Sequence, residues 1–571
     1  MDEMKKVYGI DLGTTNSCIA YLDNMGNPRI ITDEAAASDT LASAIYIDEA
    51  NQFMVGAEAK EMAVTNPETT FQFWKRYIGR DDIPNTPTYM ANGVTYDPVS
   101  LSTIVLEKII RYAKDSGEEV ENVVITCPAY FDFGQREATK QAGQKAGLNV
   151  LAVLNEPTAA AMYYCANRFQ EQSTKVLVYD LGGGTFDVSI IEVARANDKL
   201  NVNVLATDGD FMLGGYDWDM HLYDLILEKY AEQYGVSVTD IDEELCREFR
   251  GKTEEAKQKM SRRDKAVIKI AYEGDKIQVE VTREEFENVT RHRLEQTVSM
   301  MNSCMSAAGL TDEDLDVVLM VGGSTIMPQV QEMLHARFGE KVQFNEPNLA
   351  VAKGAVLVAN ALVDDGYQGS RRKKADGETT GENPEDNIIF DNESDTLAAK
   401  GPDIEINDIS PRSFGLGVLD DWQGEENVYV CDNIVLMDEV IPCNKVRSYA
   451  TPRDNMRVLR LRLFESKSKD EKLLPCLNSQ GEEVYVDPVL DMKCRNMLEM
   501  IIPDGYDLPR HTEVVVNFSV DEACNVRIVV TVPDAGNATK EAEFSFYKKL
   551  TQEEIDEAVK ETKKIVFIDG D

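Results

Sequence analysis

The chain has 571 residues, and its 59 Lys plus Arg stand against 101 Asp plus Glu, a formal net charge of −42. That length leaves room for several domains, each with its own core, while so large an excess of carboxylates opposes nonspecific binding to nucleic acid or to an anionic membrane. The ten cysteines form no Cys-x-x-Cys pair and the four histidines show no metal spacing, so the thiols are read as reduced, structural residues rather than as zinc or redox centres.

No apolar stretch precedes the first strand, so no secretory signal is expected. The strand at residues 7–12 delivers Asp11 into the turn Gly13-Thr14-Thr15-Asn16-Ser17. Far downstream the phrase returns: residues 176–181 deliver Asp180 into Gly182-Gly183-Gly184-Thr185-Phe186-Asp187. A turn rich in glycine and threonine brings backbone N–H groups close to phosphate oxygens, and the Asp can hold Mg²⁺ directly or through water. Either turn alone reads equally as a plain hairpin connection; two copies imply facing half-sites for one nucleotide. A third glycine pair, Gly322-Gly323 with Ser324, again comes after an apolar strand. Three such turns fit a doubled α/β domain with its ligand in the cleft between lobes.

The apolar run at residues 350–363 is interrupted by Lys353 and is too short to span a bilayer. From 364 to 402 the chain becomes rich in Gly, Asp, Glu and Ser and carries Arg371-Arg372-Lys373-Lys374. This segment is read as a disordered inter-domain insertion, its basic cluster either solvated or a partner contact. Ile404-Glu405-Ile406-Asn407-Asp408 comes next. Period-two alternation at 458–464 and the apolar runs at 513–518 and 526–532 then predict strands of a small antiparallel sandwich. A final helix starts at the capping box Thr551-Gln552-Glu553-Glu554, with Ile555, Ala558, Val559 and Val566 as its apolar stripe.

Beyond these patterns, Val124-Ile125-Thr126-Cys127-Pro128-Ala129-Tyr130-Phe131, Leu154-Asn155-Glu156-Pro157-Thr158-Ala159-Ala160-Ala161, Phe73-Trp74-Lys75-Arg76 with Ile78-Gly79-Arg80, and Leu213-Gly214-Gly215 occur in a combination far more specific than any one of them. With the glycine turns they make the chain resemble a DnaK-type member of the seventy-kilodalton heat-shock chaperones, within the actin-like ATPase superfamily, from about residue 5 to 362 and more loosely from about 404 to 566. The resemblance implies an α/β actin-like two-lobed ATPase domain over 1–363, an insertion and linker over 364–408, a small antiparallel β-sandwich binding extended apolar peptides over 409–548, and a short C-terminal helix over 549–571, the remnant of a truncated lid. It implies a cytoplasmic, stress-responsive chaperone that binds and releases unfolded clients as it hydrolyses Mg-ATP. It also implies J-domain and nucleotide-exchange partners, with no nucleic acid and no membrane.

Residue by residue, the resemblance gives Lys75, Glu156, Thr185 and Asp187 to catalysis and Asp11 and Asp180 to hydrated Mg²⁺. ATP or ADP would be held by Gly13, Thr14, Thr15, Asn16, Gly182, Gly183, Gly184, Gly214, Gly215, Glu254, Lys257, Ser261, Gly322, Gly323 and Ser324. Leu416, Leu419, Tyr449, Leu459, Leu461 and Val514 would lie near the peptide cleft, although alternating leucines also fill cores. Pro128, Arg136, Ile404, Ile406 and Asp408 would couple the two activities. Departures are equally plain: Ile326 replaces an adenine-stacking Arg, Gln258 a basic residue of some relatives and Ala152 an Arg that engages J-domains, and the stretch between Arg80 and Thr95 is short. An actin-like sugar kinase or a filament-forming scaffold would share the phosphate turns.

Overall fold

The strands Val7–Asp11, Thr174–Leu181 and Val317–Val321 carry near-continuous apolar runs, the pattern of strands covered on both faces, and almost every residue in them is buried. The computed structural model describes residues 6–80, 86–166, 173–196, 199–364, 403–422, 425–473, 493–506, 508–521, 525–544 and 547–568. The insertion expected over 364–402 therefore lies, after its first residue, outside the described residues, together with its basic cluster.

Two sheets repeat one plan. In the first lobe, Val7–Asp11 pairs antiparallel with Asn16–Leu22 and parallel with Asn122–Cys127. In the second, Thr174–Leu181 pairs antiparallel with Phe186–Ala196 and parallel with Val317–Val321. Each Asp-bearing strand thus sits centrally in its sheet and turns into a hairpin at its carboxyl end, the edge at which open α/β sheets present ligand sites. A smaller sheet of Phe53–Val55, Ala44–Ile47 and Thr70–Gln72 lies beside the first lobe.

The alternation of Ile404 and Ile406 becomes a strand, Asp403–Ile409, added parallel to Lys199–Asp210 with Leu200 opposite Ile404 and Val202 opposite Ile406. Both isoleucines pack on the apolar cluster that holds Leu200 and Val202. The same strand runs on to pair with Val440–Ile441, so the connection between the two lobes and the C-terminal part of the chain is itself sheet.

In that C-terminal part stand two antiparallel sheets. One contains Glu425–Val435, Ser413–Trp422, Val458–Ser466 and Lys493–Ile501, and the other Cys443–Ala450, Glu513–Val520, Val526–Val532 and Ala538–Phe544. Their facing side chains, Phe414, Leu463, Val516, Phe518 and Ile528 among them, form one cluster, and that cluster also takes in Phe133 of the first lobe. Phe133 stacks on Phe414 with centroids 4.9 Å apart and planes 15° from parallel. Beside them Asp132, which caps the helix Phe133–Lys145 by accepting from the Gln135 N–H at 2.9 Å, faces the guanidiniums of Arg80 at 3.8 Å and Arg412 at 3.7 Å. The first lobe and the C-terminal sheets therefore share an aromatic stack and a buried ionic cluster.

Truncating a buried aromatic in a packed core costs about 3–5 kcal/mol. Phe133→Ala is expected to loosen the contact between lobe and sheets while leaving both folded. Energy transfer between dyes on the second lobe and on the strand Val526–Val532 should fall, and unchanged transfer would remove the stack from that role.

Candidate functional site

The two glycine turns face each other across the cleft at contact distance. A Cβ on Gly183 would overlap the Thr15 side chain, and one on Gly184 that of Thr14. The first turn is stapled by hydroxyls: Ser17 Oγ accepts from the Gly13 N–H at 3.1 Å, and Ser43 Oγ donates to the Gly13 carbonyl at 2.8 Å. In the second, the Gly182 N–H donates to the Thr185 carbonyl at 3.0 Å, while the Gly215 and Tyr216 N–H groups donate to the Gly182 and Gly183 carbonyls at 2.9 and 2.8 Å. Gly214 and Gly215 are thus bolted to that turn. The third turn closes over it: Gly322 has φ +83°, a left-handed value suited to glycine, and a Cβ there would overlap the Leu181 carbonyl and Asp180 Oδ1. Thr14, Thr185 and Ser324 are buried, and Asn16 is exposed.

Below the turns lies a charge cluster. Lys75, 3% exposed, donates to Glu156 Oε1 at 2.7 Å, and its Nζ lies 5.7 Å from the centre of the Phe131 ring. Burial works against its charge, but the Glu156 and Asp11 carboxylates outweigh that and hold the ammonium above its ordinary value. Asp11 accepts from Thr126 Oγ1 at 3.1 Å, and Asp187 from the Tyr130 N–H at 2.9 Å. Burial, then the negative charge of Glu156, pushes both Asp11 and Asp187 up to about 7. Asp180 is likewise raised well above the usual carboxylate range, by burial first and then by the charges of Glu156, Asp187 and Asp11. Four carboxylates around one ammonium leave a deficit of positive charge, which fits a divalent cation. Among the described residues no three acidic, His or Cys side chains form a chelating group, and a hydrated Mg²⁺ is the form that needs the fewest direct ligands.

Away from this cluster, Glu254 pairs with Lys60 across the cleft. Lys257 donates to the Gly215 carbonyl at 3.0 Å and meets Asp219 at 2.8 Å. Ser261 lies at the rim of a shallow depression with Lys257, Arg283, Phe286 and Met327, and Gly323 and the 40%-exposed Ile326 stand beside it on the third turn. Two residues to which the sequence reading gave no role join the lobes: Arg76 Nη2 donates at 2.6 Å to Asp217, whose carboxylate also accepts from the Gly214 N–H at 2.8 Å. The sequence signal for Arg76 was its place beside Lys75; Asp217 had none.

Asp408 and Arg136 converge on Asn155. Asn155 Nδ2 donates to both Asp408 oxygens at 3.0 Å, Arg136 hydrogen-bonds the Asn155 amide oxygen, and Arg136 and Asp408 stand 3.7 Å apart. Pro128 opens the loop that carries Tyr130 and Phe131. The six candidate cleft residues are not brought together on one open surface. Leu416, Leu459 and Val514 are buried in the core between the two sheets, at 0%, 6% and 4% exposure, and Leu461 and Tyr449 pack against it. Leu419 points out, 48% exposed. Tyr449 and Val514 are direct cross-strand partners.

Two lobes of one plan, with facing Gly-Thr turns over buried carboxylates, place this chain among two-lobed α/β proteins with a cleft at the carboxyl ends of their central strands. The model of the Hsp70 protein family matches residues 7–370, more than half of the chain, and the chain belongs to the Hsp70 family. Its members are ATP-dependent chaperones with an actin-like two-lobed ATPase domain, bind ATP or ADP with Mg²⁺, and work with client peptides and co-chaperones. No described helix is long and apolar enough to cross a membrane, and Cys18, Cys127, Cys165, Cys246, Cys304, Cys431 and Cys443 are free thiols.

The raised carboxylates give a pH dependence of definite sign. A carboxyl that titrates near 7 when folded and at about 4 when unfolded holds its proton more tightly in the fold, so its contribution to stability is lost as pH rises through 7. For the metal-free, nucleotide-free chain, melting temperature should fall as pH rises from about 4 to about 7 and level off above. Asp187→Asn should flatten that slope; an unaltered slope would show that Asp187 titrates normally.

Proposed function

We propose that the chain is a DnaK-type chaperone in which ATP hydrolysis in the cleft drives binding and release of extended apolar client segments by a C-terminal β-sandwich. The observation that carries this reading is the contact of Asp408 with Asn155, because the next residue, Glu156, holds Lys75. The strand leading to the C-terminal sheets therefore touches the residue beside the charge cluster.

In this mechanism Thr14, Thr15, Gly182, Gly183, Gly184 and Thr185 offer donors to the phosphates. Lys75 stabilises charge on the γ-phosphoryl oxygens, and Glu156 and Asp187 orient the attacking water. Asp11 and Asp180 would hold the waters of Mg²⁺, which when bound supplies positive charge against the phosphates. Glu254, Lys257 and Ser261 border the base, with Ile326 offering it an apolar face rather than a stacked cation. Withdrawal of the strand Asp403–Ile409 would free Asn155 and Arg136 together, so that nucleotide state and domain docking shift one equilibrium. A J-domain partner would dock without a cation at Ala152, on the edge strand of the first sheet. Family membership gives the sugar-kinase and filament readings no support.

ATPase turnover measured with and without an unfolded apolar peptide tests the whole: stimulation is expected, and its absence would uncouple the two halves. Lys75→Ala should lower single-turnover hydrolysis by about 100-fold while leaving nucleotide affinity nearly unchanged. Ile406→Asp should abolish peptide stimulation and spare basal turnover, since it places a charge against Val202 and its apolar neighbours.

A further inference from the structure

After the last strand of the C-terminal sheets the chain returns to the first lobe. The helix Gln552–Thr562 begins at the Thr551/Glu554 capping box and lies on Phe133–Lys145, where Thr562 Oγ1 donates to the Lys145 carbonyl at 3.1 Å. Gln141 Nε2 donates to the Lys548 carbonyl at 2.5 Å just before it. Residues 565–568 then join a sheet. Phe53 donates its N–H to the Val566 carbonyl at 2.9 Å, and Ile568 donates to the Phe53 carbonyl at 2.9 Å, a parallel bridge that places Phe567 beside Phe53. The alternation is that of a half-buried strand: Ile565 and Phe567 pack on the apolar cluster of the first lobe, and Val566 is 51% exposed. Arg111 fixes the register, donating to the Ile565 carbonyl at 2.7 Å while its guanidinium lies 4.3 Å from the centre of the Phe567 ring.

The sheet extended in this way is the small one of Phe53–Val55, Ala44–Ile47 and Thr70–Gln72. Each of its strands is joined closely in sequence to a group that faces the cleft. Ser43, which staples the first phosphate turn, precedes Ala44; Lys75 comes shortly after Thr70–Gln72; and Lys60, the partner of Glu254 across the cleft, lies on the helix Ala57–Thr65 just beyond Phe53–Val55.

We infer that residues 565–568 act as a clasp: a fourth strand that holds this sheet, and with it Lys60, in the closed-cleft position, so that release of the clasp speeds nucleotide exit. The inference rests on the cleft being the nucleotide site. It makes the C-terminal segment a regulator of the first lobe, separate from any part it plays over a client. Phe567 and Arg111 touch no phosphate-side group, so their substitution tests the clasp without touching the catalytic cluster.

The experiment uses the full chain, Phe567→Ala, Arg111→Ala and a chain ending at residue 563, with a fluorescent ADP analogue as probe. Release in stopped flow is expected to quicken about five- to tenfold in each variant, and exchange of the Phe53 amide to lose protection. A synthetic peptide of residues 563–571 added to the shortened chain should slow release again, which excludes a folding defect. Phe53 losing protection while release stays at the full-chain rate would overturn the inference, as would a peptide that binds and restores nothing. Failure of the full chain to bind the analogue at equilibrium would instead overturn the nucleotide reading, and the exchange of Phe53 would still report whether the strand is paired.

Discussion

Lys75 is a single buried ammonium among Asp11, Glu156, Asp180 and Asp187, and the arrangement around the cleft exists to keep it there. A buried ion pair lowers its desolvation penalty only with close geometry and further hydrogen bonds. The loop after the strand Asn122–Cys127 supplies both. Phe131 lies beneath the ammonium, the Tyr130 N–H anchors Asp187, and Asp132 begins the helix that carries Arg136. One short loop thus serves the lysine, a carboxylate of the opposite lobe and the helix that touches the C-terminal sheets.

The cross-cleft contacts divide the work. Arg76 with Asp217 is nearly buried and bolts the lobes beside the phosphate turns, whereas Lys60 with Glu254 is more than a third exposed on both partners and is therefore weak and screened by water. A closed cleft thus has a firm inner seam and a soft outer one. The soft seam is the part a distant element can bias, since a small free-energy difference suffices to shift it.

The facing glycine turns were legible because their pattern is contiguous: an Asp at a strand end, glycines for close approach and a threonine hydroxyl succeed one another within a few residues. The pairs Arg76–Asp217 and Lys60–Glu254 were not, because 141 and 194 residues separate their members and nothing local marks either as a partner. Ile404 and Ile406 read only as two apolar positions of a linker; that they belong to a strand, and that its neighbour is Lys199–Asp210, comes from the fold alone. The leucines of the C-terminal sheets show the limit most sharply. Period two puts Leu459 and Leu461 on one face and cannot say whether that face is a core or a groove, and the structure buries Leu459 while leaving Leu419 in solvent. The stack of Phe133 on Phe414 had no signal in the sequence, since the two rings lie far apart in the chain and nothing local pairs them.

The strand Asp403–Ile409 completes a sheet whose neighbouring strand, Lys199–Asp210, would otherwise have a bare row of N–H and C=O groups next to Leu200 and Val202. An unpaired, apolar strand edge is a template for other chains. Were that strand to leave, the bare edge would be a site of self-association on the protein's own surface, and the net charge of −42 would oppose it through mutual repulsion between copies.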